Sequence, residues 1–156
     1  MAMSVHLYLN EDGNQIEGES TVASEDRENS IECLEYQDVF SREWPGGKVT
    51  ASPISIVKRI DKSSPILYDR LEKGGPLEGE FRFFRASASG DGTVEHYLTV
   101  TGSRGRVVEV TRISDAFGQG GDLAASERVE FLFDAVKVEY TQGGIIGEIE
   151  FKAAKK

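Results

Sequence analysis

The sequence predicts a mostly-β protein in which two antiparallel sheets form a small β-barrel or sandwich with one flanking α-helix. Apolar and polar residues alternate with period two in at least seven short segments, which is typical of half-buried strands. Glycine marks the turns, with 17 glycines among 156 residues, and only one segment has helical spacing. We expect one domain over residues 1–152 and a short C-terminal tail at 153–156.

The first strands are predicted from alternation in the N-terminal third. Val5, Leu7 and Leu9 share one parity, and Leu34 and Tyr36 repeat the pattern further on. Successive side chains of a strand point to opposite faces, so each set is expected on the core side of a sheet. Similar period-two segments follow at residues 54–60, 81–83, 98–100 and 108–110.

The last long strand changes phase. Its apolar residues are odd-numbered over 129–133 and even-numbered over 136–140, with the change across Asp134-Ala135. Either a β-bulge or a sharp bend that carries the strand from one sheet to another would keep both sets on the core side. A final short strand is predicted from Ile145 to Phe151.

One helix is predicted over Pro65 to Lys73. Ser64 is a favourable N-cap, and Pro65 occupies the first helical position, where its missing N–H costs nothing. Leu67 and Leu71 lie four residues apart on one face. Gly74 supplies the C-terminal stop.

The charge pattern excludes two classes of partner. A net charge of −9 disfavours binding to nucleic acid or to an anionic membrane surface. The charge is also uneven, because Glu11 to Glu35 is acidic whereas Arg42 to Arg70 is mostly basic. This asymmetry is either surface variation or a pair of complementary faces in a head-to-tail contact.

No catalytic, cofactor-binding or metal-binding residue is assigned. His6 and His96 are the only histidines, and each is interpreted as a side chain on a strand face. Cys33, the only cysteine, is interpreted as a small packing residue. Gly46-Gly47-Lys48 lacks the pattern of a phosphate-binding loop.

The N-terminal segment lacks the features of an export signal. Residues 1–10 have no basic region and no long apolar run, and no stretch approaches the ~20 apolar residues of a transmembrane helix. We expect a cytoplasmic protein that, if exported, leaves without a cleavable signal peptide.

Segments spread over nearly the whole chain resemble one family. They are Ile16-Glu17-Gly18-Glu19-Ser20, the strand Ile31 to Tyr36, the run Ile54 to Leu67 with its K-x-I-D-K-x-S-P-like passage into the helix, and Glu127 to Tyr140. Together they resemble the Hcp family, the tube proteins of bacterial type VI secretion systems. Two segments depart from the family pattern: the run Gly105 to Val108, and Gln37-Asp38-Val39, where family members commonly have an aromatic residue.

The resemblance implies a structural protein and not an enzyme. Six copies would form a ring, and rings would stack into a tube that a contractile sheath expels from the cell. The implied partners are the sheath, spike and baseplate proteins of the secretion system. Some family members hold small effectors in the lumen. The polar segment 40–48, which contains the only tryptophan, is predicted to be an extended loop that contacts an adjacent subunit. The predicted interface residues are Val39, Phe40, Arg42, Glu43, Trp44 and Lys48, and the predicted lumen-facing residues are Glu35 and Gln37.

Three alternatives remain open from the sequence. Trp44 could fold back onto its own subunit. The same fold serves in the tail tubes of phages and of extracellular contractile injection particles. A β-sandwich binding module or a small hydrolase is the alternative from a different class, and turnover or a monomeric state at high concentration would favour it.

Overall fold

The computed structural model describes residues 3–114 and 125–151, and over these it confirms the mostly-β prediction. The strands are β1 (Ser4–Glu11), β2 (Asn14–Ile16), β3 (Ile31–Cys33), β4 (Glu35–Gln37), β5 (Phe40–Arg42), β6 (Val49–Ala51), β7 (Ile54–Arg59), β8 (Leu77–Ala86), β9 (Val94–Ser114), β10 (Ala125–Leu132), β11 (Ala135–Tyr140) and β12 (Ile145–Glu150). One helix, α1, spans Ser64–Lys73, and Ser24–Asp26 forms a short 3-10 turn.

The strands form two antiparallel sheets and a separate hairpin. The first sheet contains β1, β2, β3, β8, the first half of β9, β11 and β12. The second contains the rest of β9 with β10, β7 and β4. The hydrogen-bonded order β2-β1-β8-β9-β10-β7-β4 runs open and does not close into a barrel. The hairpin is β5–β6.

The chain crosses between the sheets where the phase of the last strand changes. β10 pairs within the second sheet, the chain bends at Asp134, and β11 pairs within the first. The bend is therefore the correct one of the two predicted explanations. Phe133 lies there against Gly102 and Gly105 of β9, and a Cβ at either glycine would overlap its ring. These two glycines let the backbone approach an aromatic ring closely.

A second crossing occurs at Leu34, where the sequence predicted one continuous strand. β3 pairs with β1 in the first sheet, whereas β4 pairs with β7 in the second. In one continuous strand, the odd-numbered Cys33 and the even-numbered Tyr36 would point to opposite faces. Because the strand is interrupted at Leu34, both side chains point toward the core. The prediction of a single strand is wrong because the chain changes partners within it.

The core lies between the sheets and under α1. Its buried members are Leu7, Leu9, Ile16, Ile31, Cys33, Ile54, Ile56, Leu67, Leu77, Phe81, Val100, Val107, Val129, Phe131, Phe133 and Val136. Burial of a large aliphatic or aromatic side chain contributes about 1.5–3 kcal/mol, so this cluster supplies the main stabilising free energy.

Helix α1 follows the prediction with two corrections. Ser63 is the N-cap, and Ser64 is the first helical residue. Leu67 is fully buried, whereas Leu71 on the same face is exposed. The C-terminal stop is as expected, because Gly74 has a φ of 68° and donates its N–H to the carbonyl of Arg70 at 2.9 Å.

A buried ion pair holds α1 onto the second sheet. Lys58 of β7 and Glu127 of β10 are both fully buried, with 2.6 Å between Nζ and Oε2. Ser64 donates its hydroxyl to the same carboxylate oxygen at 2.6 Å, and Asp61 lies 3.0 Å from the lysine. We call these four residues the helix anchor. It ties the start of α1 to two strands and shows why the K-x-I-D-K-x-S-P-like run needs its lysine, aspartate and serine.

Candidate assembly surfaces

The predicted extended loop is a β-hairpin. Phe40 pairs with Ala51 and Arg42 with Val49, and residues 43–48 form the connection. Trp44 lies in this connection and is 83% exposed. The alternative in which the indole packs onto its own subunit is therefore wrong, and the hairpin presents a large apolar side chain to the surroundings.

The base of the hairpin is fixed to the body, so its tip has a defined position. The Phe40 ring stacks on Phe151 with centroids 5.9 Å apart and planes inclined by 11°. Ser52 donates its N–H to the Val39 carbonyl at 3.0 Å. Within the connection, Arg42 donates from Nε to the carbonyl of Gly47 at 2.9 Å. Glu43 and Lys48 are exposed.

The outer face of the second sheet carries the two residues predicted to face the lumen. Glu35 and Gln37 of β4 are exposed, opposite the inward-facing Tyr36. Arg128 of β10 extends over the same face, since it donates to Ser55 Oγ at 2.9 Å and lies 3.8 Å from Glu35. We call this surface the outer β4 face. A shallow cleft of about 460 Å³ is lined by Gln37, Val39, Ser52, Pro53, Ser55, Arg128 and Glu130.

β12 forms an exposed edge that the sequence did not single out. All six of its residues are exposed, and β11 is its one pairing partner among the described strands. The exposed residues include Ile145, Ile146 and Ile149. The preceding Gly143-Gly144 turn and the two adjacent isoleucines are the sequence signal, but alternation alone does not reveal that both faces lack cover.

The acidic and basic stretches pair within one subunit. Lys62 contacts Glu17 at 3.0 Å, and Arg59 contacts Glu32 at 3.2 Å. Arg70 donates two N–H groups to Glu11 at 2.6 and 2.7 Å, and these bonds hold the pKa of that carboxyl below its usual range. These residues therefore have partners within the subunit, and a role of the two stretches as complementary faces between subunits stays a prediction.

The histidines and the cysteine are placed as packing groups. His6 is 1% exposed and its Nδ1 lies 2.8 Å from Ser30 Oγ. Nε2 of His96 lies 2.7 Å from Thr99 Oγ1. Cys33 is buried, and burial raises the pKa of its thiol. Within residues 3–114 and 125–151, no three His, Cys, Asp or Glu side chains are grouped to hold a metal ion.

Helix α1, the α-helix of the described ranges, has 10 residues and is too short and too polar to cross a membrane.

Comparison with known proteins assigns the fold to one family. Hcp1 of Salmonella typhimurium is 28% identical, with a TM-score of 0.75 over 99% of both chains. A mutant of Hcp1 from the E. coli EAEC 042 pathovar is 26% identical, with a TM-score of 0.82 over 96% of this chain and 99% of the other. Hcp3 of Pseudomonas aeruginosa shares the fold at 20% identity and a TM-score of 0.78, over 97% of this chain and all of the other.

The family assignment rests on the sequence as well as on the fold. No curated protein sequence matches the chain. The family model described as type VI secretion system effector, Hcp, matches residues 8–140. The match includes the helix anchor, the hairpin and both sheet crossings, and the chain therefore belongs to the Hcp family of type VI secretion proteins.

Proposed function

We propose that this protein is the structural subunit of a type VI secretion tube, in which six copies form a ring and rings stack end to end. The observation that carries the proposal is β12, an apolar strand exposed on both faces in a single subunit. Family membership supports the same conclusion.

The physical argument starts from the cost of leaving β12 uncovered. A strand with three exposed isoleucines, whose outer edge has no pairing partner among the described strands, is a site for pairing with another chain. A contact between this edge and a different surface of the next copy is head-to-tail, and such contacts close into a ring when the rotation permits. Closure covers every copy of the strand without leaving an open end.

The hairpin supplies a second contact in the proposal. Trp44 at its tip is exposed, and tryptophan is enriched at the centres of protein interfaces. We assign the contact with an adjacent subunit, within or between rings, to Val39, Phe40, Arg42, Glu43, Trp44 and Lys48. The fixed base at Phe40 and Phe151 favours this role, because less conformational entropy is lost when a positioned group binds.

The outer β4 face is proposed to line the lumen. Glu35, Gln37 and Arg128 make it polar, with acidic and basic groups close together. A polar wall with charges of both signs suits a conduit, since a small effector passing through it meets no large apolar patch.

The remaining features follow from the proposed tube. The protein acts without catalysis and assembles with sheath, spike and baseplate proteins. It folds in the cytoplasm as one domain over residues 1–152 and is expelled to the outside or into a target cell without a cleavable signal. The family match favours a type VI system over a phage or extracellular injection particle. Neighbouring genes for a membrane complex and its ATPase would distinguish the two.

The test is the oligomeric state and the shape of the purified protein. We expect light scattering to give a hexamer and negative-stain microscopy to show rings or stacked rings. Ile146→Arg on β12 should give folded monomers. The matched control Ile60→Arg, at another exposed isoleucine, should leave the ring intact. A wild-type protein that stays monomeric or dimeric at high concentration, or an Ile146→Arg ring, would overturn the proposal.

A further inference from the structure

A long connection between β2 and β3 crosses the outer side of the first sheet. We call residues 17–30 the strap. It is closed on itself by backbone hydrogen bonds, from Gly18 N–H to the Asn29 carbonyl at 2.9 Å and from Asn29 N–H to the Ser20 carbonyl at 2.9 Å. Its last part covers His6 of β1, which points away from the main core and is nevertheless 1% exposed.

The backbone of the strap adopts a left-handed conformation at three residues and is strained at Glu25. Glu25 and Asp26 have φ values of 58° and Asn29 has a φ of 68°, in the left-handed region that side-chain-bearing residues rarely adopt. Asp26 and Asn29 tolerate this region, because a short polar side chain can bond to the local backbone, whereas Glu25 needs surrounding contacts to hold it there.

Several side chains hold the strap. Lys62 bonds to Glu17 and Glu19 at the start of the strap, each at 3.0 Å, and Tyr8 of β1 donates its hydroxyl to the Asp26 carbonyl at 3.0 Å. The Arg27 guanidinium lies 4.7 Å from the centre of the Phe84 ring and donates to the carbonyl of Ser24 at 3.0 Å. Ser30 Oγ lies 2.6 Å from the Arg27 carbonyl and 2.8 Å from His6 Nδ1. The single hydroxyl hydrogen of Ser30 is donated to that carbonyl, so the imidazole is the donor to Ser30 and carries its hydrogen on Nδ1 when neutral.

A second proton on His6 would be placed on Nε2 of a side chain that is 1% exposed beneath the strap. The imidazole and the Phe84 ring form a T-shaped pair with centroids 5.7 Å apart. The charged groups that face it are Arg27 of the strap, Glu32 of β3 and Arg82 of β8, the last two being its pairing partners in the sheet. His96 of β9 packs on Phe84 at 5.2 Å. The two arginines oppose an additional positive charge, and Glu32 alone favours it.

We propose that the end of the strap is an acid-released latch: protonation of His6 frees residues 24–30 from the first sheet, while Lys62 still holds Glu17 and Glu19 and the core between the two sheets stays packed. The device is built from a strained segment, a buried imidazole and one serine that links them. Release of the strap would expose the outer side of β1 and β8 around His6 and Phe84.

The direction of the pH effect follows from burial. Desolvation, helped by Arg27 and opposed by Glu32, lowers the pKa of His6 to about 4 from its usual 6.5. The closed strap therefore favours the neutral imidazole and loses stability as the pH falls below 6.5. Between pH 7 and pH 5 the equilibrium for opening should shift roughly 20-fold toward the open strap.

The test is hydrogen exchange of the strap amides in the assembled, full-length protein at pH 7 and pH 5, corrected for the intrinsic effect of pH on exchange. We expect protection at Gly18 and Asn29 to fall by roughly 20-fold, with little change at core amides such as Val100. His6→Gln keeps an amide that can bond to Ser30 and should abolish the pH dependence. The control His96→Gln should retain it.

Either of two results would overturn the proposal: strap protection that does not change with pH, or the same change in His6→Gln. Should His6→Gln fail to fold, titration of the wild-type His6 imidazole by NMR decides, and an apparent pKa near 6.5 would rule out the latch.

Discussion

The basic stretch from Arg42 to Arg70 contains two regions that use their side chains in opposite ways. In the hairpin, Trp44 and Lys48 are exposed to the surroundings. In the helix anchor, Lys58 is fully buried and bonded to Glu127, a residue 69 positions away in the sequence. The segment that most resembles the family motif thus stabilises the subunit, whereas the less regular hairpin is the better candidate for contact between subunits.

The largest effect is expected from breaking the anchor. Glu127→Ala leaves Lys58 buried without its 2.6 Å partner, and an uncompensated buried charge costs about 3–5 kcal/mol. Urea unfolding should show this loss. The double variant Lys58→Met, Glu127→Leu should recover most of it, because it removes both charges together. A small loss in the single variant would mean that Asp61 alone satisfies the lysine.

Removal of the hairpin tryptophan should affect assembly and spare the fold. Trp44→Ala removes a side chain that is 83% exposed, so the free energy of unfolding should change by less than about 0.5 kcal/mol. Assembly should weaken by about 2 kcal/mol if the indole is buried against a neighbour, roughly 30-fold in the concentration required for tubes. Tyr68→Ala, at an exposed aromatic residue of α1, is the control. Equal effects of the two substitutions on tube length would remove the special role of the hairpin.

Two lysine reversals should separate internal from intermolecular charge pairs. Lys62→Glu breaks a half-exposed pair with Glu17 and should cost at most about 1 kcal/mol in subunit stability, with tubes unchanged. Lys48→Glu should leave stability unchanged and shorten the tubes.

The tube length of the wild-type protein should depend on salt in two ways. Moderate salt should lengthen the tubes by screening repulsion between acidic rings, and high salt should shorten them by weakening local pairs. Tube length is measured by electron microscopy across a salt series, for the wild type and for Lys48→Glu. If tube length does not depend on salt and Lys48→Glu tubes have normal length, stacking depends on apolar contacts alone.

The smallest effect is expected on the outer β4 face. Gln37→Arg adds a bulky charge to an exposed position and should leave both stability and rings unchanged while reducing effector loading severalfold. Gln15→Arg, on exposed β2, is the matched control. The amount of effector that copurifies with each ring is the measurement. Unchanged loading in Gln37→Arg would show that this face does not line the lumen.

Much of the fold could be predicted from local patterns. Alternation placed Leu7 and Leu9 in the core, and helix α1 was located to within one residue at its start because its proline and glycine signals are local. The interface residues were selected for residue type and context, so their roles remain predictions. The helix anchor could not be predicted, since the buried state of Lys58 depends on a partner from a distant strand.

The sequence by itself determined which face of β1 is apolar and, to within one residue, where helix α1 begins and ends. These follow from backbone geometry and steric preferences that act over a few residues. On β9, alternation predicted Val108 on the core side, but Val107 is buried and Val108 is exposed where the pairing register with β10 shifts. The tertiary structure alone decided where the chain changes sheets, at Leu34 and Asp134, which charges face each other, and that β12 is left uncovered. Those outcomes depend on which distant segments meet, and the free energy of a buried charge or an open strand edge is set by that environment and not by the residue.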